Sequence, residues 1–230
     1  MKKKLIVLTG AGISAESGIA TFRDADGLWE GHDIMEVASP QGFKTNPALV
    51  LDFYNKRRAQ LAEVEPNRAH QILAELEDHY DITIITQNVD DLHERGGSSN
   101  IIHLHGELKK AKSSVVDSHV QECTGPIQIG DLAADGSQLR PNIVWFGEAV
   151  PLIEQAHELV TQADILLIIG TSMVVYPAAG LIHAAKPGIP IYVIDPGNPE
   201  LVTDRVQFIQ KTATEGLAEL VPVLTVNLPT

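Results

Sequence analysis

The sequence holds a single cysteine, Cys123, among 230 residues. One thiol excludes an intrachain disulfide and any zinc cluster built on thiolates. Positive charge is also scarce: 17 Lys and Arg stand against 30 Asp and Glu, a formal net charge of −13. Non-specific nucleic-acid binding needs a basic footprint, so no nucleic-acid partner is expected. The same balance suits basic partners such as lysine-bearing protein segments, although acidic surfaces mostly serve solubility. Long apolar runs are missing as well. No stretch approaches the ~20 residues that span a bilayer. The run Leu5–Leu8, after Met-Lys-Lys-Lys, stops at Thr9-Gly10, too short for a signal-peptide core. The expectations are a cytoplasmic location, no membrane and, by default, a monomer.

What is present is an ordinary globular composition, 44% hydrophobic and 20% charged, with length for one sizeable core and a small satellite domain. Short β-branched runs occur at Leu5–Leu8, Ile82–Thr86, Ile101–Leu104, Ile143–Phe146, Ile165–Ile169 and Ile189–Ile194. Helical patterns lie between several of them. Asn67 can cap one that puts Ala69, Ile72, Leu73 and Leu76 on a face, and Pro151–Gln162 and Pro177–Ala185 read as two more. Continuous apolar strands imply burial on both faces, which predicts an α/β fold with a Rossmann-like, doubly wound parallel sheet. Two stretches break the alternation. One, 27–62, holds a loop and a helix with Asn46 as cap and Pro47 in the first turn; the other, 107–141, is polar and poorly periodic. The expected organisation is a nucleotide-binding domain from 1–26, 63–106 and 142–230, with 27–62 and 107–141 folding together as a small second domain.

The first strand runs into Gly10-Ala11-Gly12-Ile13-Ser14-Ala15, a match to G-x-G-x-x-G/A. Glycines at such a turn let backbone approach a pyrophosphate, and a following helix N-terminus stabilises its charge. A plain tight turn explains the same residues. The acid expected about 20 residues on, at a second strand end, is replaced by Phe22-Arg23-Asp24 and an irregular loop, which strains a simple dehydrogenase reading. Three later strand ends carry polar or glycine clusters: Gln87-Asn88-Val89-Asp90, Gly170-Thr171-Ser172 and Asp195-Pro196-Gly197. Each alone reads as a cap or turn. Together they converge on the carboxyl ends of the strands, where open α/β sheets bind ligands. His103 and His105 alternate onto one face, with His105 nearer the strand's carboxyl end. A neutral imidazole suits general-base work, while His70, His79, His119, His157 and His183 read as structural or solvated.

With these residues in view the chain resembles the sirtuin family. Gly10 through Asp24 matches the family's opening motif almost without departure. Thr86-Gln-Asn-Val-Asp90, His103-Leu-His-Gly106, Trp145-Phe-Gly-Glu148 and Gly170-Thr-Ser172 recur in the expected order. The resemblance runs from Leu5 to about Leu220. It implies NAD-dependent removal of acyl groups from protein lysines: the nicotinamide–ribose bond is cleaved and the acyl group passes to ADP-ribose. By the resemblance, His105 is the base acting on a ribose hydroxyl. Gly10, Ala11, Gly12 and Ser14 hold phosphates, and Phe22, Arg23 and Asp24 lie by the reacting nucleotide. Asn88 and Asp90 position its ribose and carboxamide, with Gln87 near the ribose. Gly170, Thr171 and Ser172 contact the adenosine half, Asp195 stands where the family more often has Asn, and Ala213 packs near the adenine. The substrate adds as an extended strand between Val144, Phe146, Gly147 and Glu148 on one side and Val174 and Tyr176 on the other.

Two departures qualify this. The family's zinc ribbon should fall between Glu107 and Pro141, where only Cys123 is present, with His119 four residues before it; a structural zinc site needs four protein ligands, so no zinc is expected. The second concerns acyl choice. Tyr54 and Arg57, three apart on one helix, can face one pocket. They match the Tyr-x-x-Arg pair of sirtuins that remove succinyl and malonyl groups, where Arg offers a charge-assisted fork to a carboxylate. Two other classes stay open at this point: an NAD-dependent dehydrogenase, and a non-catalytic sensor of NAD or ADP-ribose. ADP-ribosyl transfer is a further side activity the same site would allow.

Overall fold

The computed structural model describes residues 2–21, 28–29, 31–197 and 205–226. Its strands are β1 (Lys4–Thr9), β2 (Leu28–Trp29), β3 (His32–Asp33), β4 (Asp81–Thr86), β5 (Ile101–His103), β6 (Gly106–Ser113), β7 (Val120–Glu122), β8 (Leu139–Ile143), β9 (Ile165–Ile169), β10 (Ile191–Ile194) and β11 (Val206–Ile209). The helices are α1 (Ile34–Val37), α2 (Pro40–Thr45), α3 (Pro47–Gln60), α4 (Arg68–Leu76), α5 (Leu92–Arg95), α6 (Ile153–Gln162) and α7 (Ala213–Thr225).

Six strands form one sheet in the order β11-β10-β9-β1-β4-β5, every pair parallel. The continuous apolar runs explain why: β9 is buried at all five positions, so it needs cover on both faces. One face packs Leu73 and Leu76 of α4 with Leu217 and Leu220 of α7. The other packs Ala156 and Val160 of α6 with Leu181 and Ile182. The expected doubly wound α/β fold is therefore the one observed. The chain leaves β1 towards β4 and returns to β9 on its other side, so the crevice between β1 and β9 is the topological switch point.

The caps read from the sequence are formed. Asn67 Oδ1 accepts from the Ala69 amide at 2.9 Å, and His70 Nδ1 accepts from the Asn67 amide at 3.3 Å, a reciprocal arrangement of a kind worth about 1 kcal/mol. Asn46 Oδ1 accepts from Leu49 N at 3.2 Å, with Pro47 opening α3.

Four expectations need correction. The strand expected at Ile143–Phe146 is Leu139–Ile143, and it joins a separate antiparallel sheet, β7-β6-β8. It ends there because residues 145–148 turn, with Glu148 N donating to Trp145 O at 3.0 Å and Gly147 at φ +91°. The polar stretch after Glu107 contains β6, whose alternation is disguised by a register shift between Glu107 and Ala111. The sixth strand of the large sheet, β11, was not anticipated. Finally, Pro177–Ala185 is a 3₁₀ segment, Ala178–Ala184.

Around the small sheet, α3 contributes Val50, Phe53 and Tyr54 to a cluster with Val37, Leu108 and Trp145. Polar groups tie the rest. Asn55 bonds Ile127 both ways, Nδ2 to O and N to Oδ1, each at 2.9 Å. Asp135 gathers the Ser113 and Ser137 hydroxyls at 2.7 Å each, while Ser113 Oγ accepts from Val115 N and Val116 N at 2.9 and 2.8 Å. Hydrogen bonds and apolar packing thus order the region where the resemblance places a zinc ribbon. No helix among the described residues is long and apolar enough to cross a membrane.

Candidate active site

The loops that follow β1 and β9 touch at the switch point. Gly10 N donates to Ile169 O at 3.0 Å and Gly12 N to Gly170 O at 2.8 Å. A Cβ on Gly12 would lie 2.5 Å from Gly170 Cα, and one on Gly10 2.7 Å from Gly170 O. The glycine turn therefore serves the close approach of two loops, which leaves bare backbone along the crevice. Two 3₁₀ turns, Ala11–Ile13 and Ala15–Ser17, follow. The α-helix N-terminus expected after the glycine turn is not formed; Ser14 and the left-handed Gly18 close each turn early.

A cavity of about 440 Å³ opens at these strand ends. Its wall brings together Gly10, Ala11 and Gly12 with Gln87, Asn88 and Asp90, His105, then Gly170, Thr171, Ser172 and Asp195. Tyr54 and Arg57 of α3 reach the same cavity, as do Val144, Phe146, Gly147, Glu148 and Tyr176. Three expected residues are not in its wall. Ser14 is fully buried and sits behind it, its hydroxyl donating to Asp90 Oδ2 at 3.0 Å and accepting from Asn88 Nδ2 at 3.1 Å. Ala213, the first residue of α7, is buried in the core, and Val174 is exposed. Phe22, Arg23 and Asp24 lie outside the described residues. Trp145, known from the sequence only as part of a motif, and Val175, beside the expected Val174 and Tyr176, also line the cavity, as does Thr212, to which nothing in the sequence reading pointed. Thr212 is the residue before α7, so the helix start was its only signal.

His105 lies two residues beyond the end of β5. Its Nδ1 is 3.1 Å from the Gln87 carbonyl. A carbonyl only accepts, so Nδ1 carries the proton and Nε2 is the nitrogen left to take one. Burial lowers the His105 pKa below the ordinary imidazole value, partly offset by that hydrogen bond. The ring is neutral at neutral pH, as a base must be. His103 differs. Its Nδ1 bonds Asn88 O at 3.1 Å and its Nε2 bonds Glu94 Oε1 at 2.7 Å. Burial lowers its pKa, but the Glu94 contacts outweigh it and raise the net value. With both nitrogens committed, His103 braces the strand end.

Asp90 is buried, which raises its pKa; the Leu92 amide and the Ser14 hydroxyl pull it back in part. Ser14 thereby fixes Asn88 and Asp90 relative to each other. Gln87 Nε2 donates to Thr171 Oγ1 at 3.2 Å, across the switch point. Asp195 directly follows β10, 1% exposed, and accepts from Gly197 N at 2.8 Å. Elsewhere in the cavity wall, the Tyr54 hydroxyl accepts from Trp145 Nε1 at 3.1 Å. Burial pushes the phenol above the ordinary tyrosine range, so it is neutral. Arg57 carries its guanidinium carbon 5.3 Å from the Phe53 ring centre.

The model of the Sir2 family matches residues 10–177. The chain belongs to the Sir2 family. A Helicobacter pylori protein named NAD-dependent protein deacylase is 61% identical to this Sir2 chain, over 96% of its length and 97% of the relative's. Among solved structures, a mutant Sir2 homologue in complex with ADP-ribose is similar with a TM-score of 0.89 at 40% identity, covering 99% of this chain and 96% of that one. A Sir2 homologue–NAD complex reaches 0.86 at 41% identity, over 97% and 90% of the two chains. Among the described residues, the motif positions Gly10, Ala11 and Gly12, residues 87–90, His105, residues 145–148 and residues 170–172 line one crevice.

Proposed function

We propose that this Sir2 protein removes acidic acyl groups, succinyl and malonyl, from protein lysines at the expense of NAD, releasing nicotinamide and O-acyl-ADP-ribose, with acetyl-lysine as a further substrate. NAD-dependent protein deacylation follows from family membership and from the name of the Helicobacter relative. The acidic preference is the finer step. The observation that carries it is that one cavity holds both His105 and the Tyr54–Arg57 pair.

The residues fit a dinucleotide. Gly10, Gly12 and Gly170 leave backbone without side chains along the crevice, and Asp195 offers a carboxylate at the end of β10. Bound NAD supplies an activated bond between ribose and nicotinamide. Asn88 and Asp90, braced by Ser14, are assigned to the reacting end of the nucleotide, and Thr171 and Ser172 to the adenosine half. His105 Nε2 takes the proton from a ribose hydroxyl. The edges at Phe146–Glu148 and at Val175 and Tyr176 hold the peptide by backbone hydrogen bonds, which give affinity with little side-chain selectivity. Arg57 forks onto the acyl carboxylate and Tyr54 adds a neutral O–H donor.

Mass spectrometry of one peptide carrying acetyl-, malonyl- or succinyl-lysine, with and without NAD, tests this. NAD-dependent loss of the acidic groups together with nicotinamide release is expected. Loss of acetyl alone defeats the acidic-acyl reading. Reduced cofactor would point to a dehydrogenase, and ADP-ribose binding without turnover to a sensor.

A further inference from the structure

We propose that Trp145 is a positioning residue for acyl selectivity: its indole N–H holds the Tyr54 hydroxyl at the acyl end of the cavity. The inference rests on the reading that Tyr54 and Arg57 receive an acidic acyl group. Tyr54 and Trp145 are 91 positions apart, on α3 and on the turn after β8, yet Nε1 and the phenol oxygen are 3.1 Å apart. Tyr54 is fully buried and Trp145 is 2% exposed. A buried phenol needs a polar partner. Trp145 is one such partner and a pure donor, because an indole N–H cannot accept. The bond therefore occupies a lone pair of the phenol oxygen and sets the direction of its O–H. Accepting a hydrogen bond also polarises the O–H and strengthens it as a donor. A carboxylate at the end of the acyl chain gains from that; a methyl group does not.

The indole is itself gripped. The Arg140 guanidinium lies 3.7 Å from its ring centre, and Phe43 packs with ring centroids 5.3 Å apart. Arg140 is in turn held by Glu148 through two contacts of 2.9 Å, Nη1 to Oε1 and Nη2 to Oε2, and by the Ile143 carbonyl at 3.1 Å. Glu148 Oε2 also accepts from Trp145 N at 2.8 Å. This clamp links the segment assigned to the peptide with the residue assigned to the acyl end.

The test uses the full chain and one peptide bearing either succinyl- or acetyl-lysine. Wild type, Trp145→Phe, Tyr54→Phe and the double variant are compared. Phenylalanine keeps an aromatic ring but removes the N–H donor together with the second ring of the indole; the Tyr54→Phe background carries the same loss of volume, so the comparison isolates the hydrogen bond. Trp145→Phe is expected to lower the succinyl-to-acetyl ratio of kcat/KM by about three- to tenfold, chiefly through the succinyl KM. In the Tyr54→Phe background the same change should move that ratio less than about twofold. An equal loss on both peptides, or the same ratio change with and without the Tyr54 hydroxyl, would overturn the proposal. Should Trp145→Phe not fold, ¹⁵N-indole spectra of the wild type decide, with Trp29→Phe assigning the two signals. The Trp145 N–H must shift with the succinyl peptide and not with the acetyl one; equal shifts overturn the idea. A wild type without succinyl activity sinks the acidic-acyl reading as well. Succinyl activity with an unchanged ratio in Trp145→Phe sinks the role of the indole alone.

Discussion

The Val144 amide donates to the His105 carbonyl at 2.9 Å, so the segment that would line the peptide is built directly onto the residue assigned as base. The ring of His105 meanwhile bonds the Gln87 carbonyl, on the nucleotide side of the cavity. The same residue is thus tied through its backbone to one half of the site and through its side chain to the other. Small shifts of the peptide edge would carry straight to the base, and a proton acceptor needs hydrogen-bond reach to work.

Replacing His105 by Ala should cut kcat/KM by about 10²–10⁴-fold, the usual worth of a positioned general base, while the urea midpoint changes little. In the wild type, burial lowers the His105 pKa. The base is lost only when protonated, so activity persists as pH drops past the ordinary imidazole value of about 6.5 and falls as pH passes through the lower folded value. A pH profile of kcat/KM whose acid limb sits above about 6.5 would contradict this.

Arg57→Met keeps an unbranched chain to pack on Phe53 and removes the charge. Charge-assisted hydrogen bonds contribute about 1.5–3 kcal/mol, which predicts a loss of roughly 10- to 100-fold in kcat/KM for succinyl-lysine. Acetyl-lysine turnover should change by less than about threefold. Steady-state kinetics on matched peptides checks it, and parallel losses would remove Arg57 from acyl choice.

Gly12→Ala places a Cβ 2.5 Å from Gly170 Cα, against backbone that cannot step aside. Overpacking of this kind costs about 1–3 kcal/mol, visible as a lower urea midpoint and weaker NAD binding by calorimetry. Gly125 is the control: a Cβ there meets nothing within 4 Å, so Gly125→Ala should stay within about 0.5 kcal/mol.

The large sheet was legible because β9, β10 and the Leu5–Leu8 run of β1 are continuously hydrophobic and β4 is broken only by Thr83 between its ends, and strands buried on both faces look that way. α3 and α4 were legible through Asn46, Pro47 and Asn67, whose side chains satisfy amides that any helix start leaves open. The crevice followed from strand ends, since Gly10, Gln87, His105, Gly170 and Asp195 each come at or just after one. Other features depend on contacts remote in sequence. β6 is polar, and only its pairing with β7 and β8 makes it a strand. β11 is a four-residue edge strand with no fully buried position. Ser14 was read as a phosphate contact, yet its partners Asn88 and Asp90 lie 74 and 76 positions away. Trp145 was visible as part of a motif, but nothing local announces its bond to Tyr54.

Acid should loosen this fold through two imidazoles beneath the crevice. His70 and His93 are 0% and 1% exposed, with ring centroids 5.0 Å apart. Burial takes the His70 pKa down from 6.5 to about 4, with Glu94 opposing. Burial, then the charges of His70 and His103, lowers His93 well below its usual value. A histidine whose folded pKa is depressed contributes stability that is present above its unfolded pKa and lost as pH falls towards the folded one. For His70 that window runs from about 6.5 down to about 4 and is worth roughly 3 kcal/mol. His93 Nε2 lies 3.0 Å from the Thr9 hydroxyl, directly before the glycine turn, so charging this pair would disturb the crevice as well as the core. His70→Gln removes one titration and keeps a side chain that can complete the cap with Asn67. Urea midpoints near pH 7 and near pH 4.5 give the comparison. The variant should lose roughly 2 kcal/mol less than the wild type between them, whatever its stability at neutral pH. Equal losses would mean that His70 is not an acid-labile element of the core.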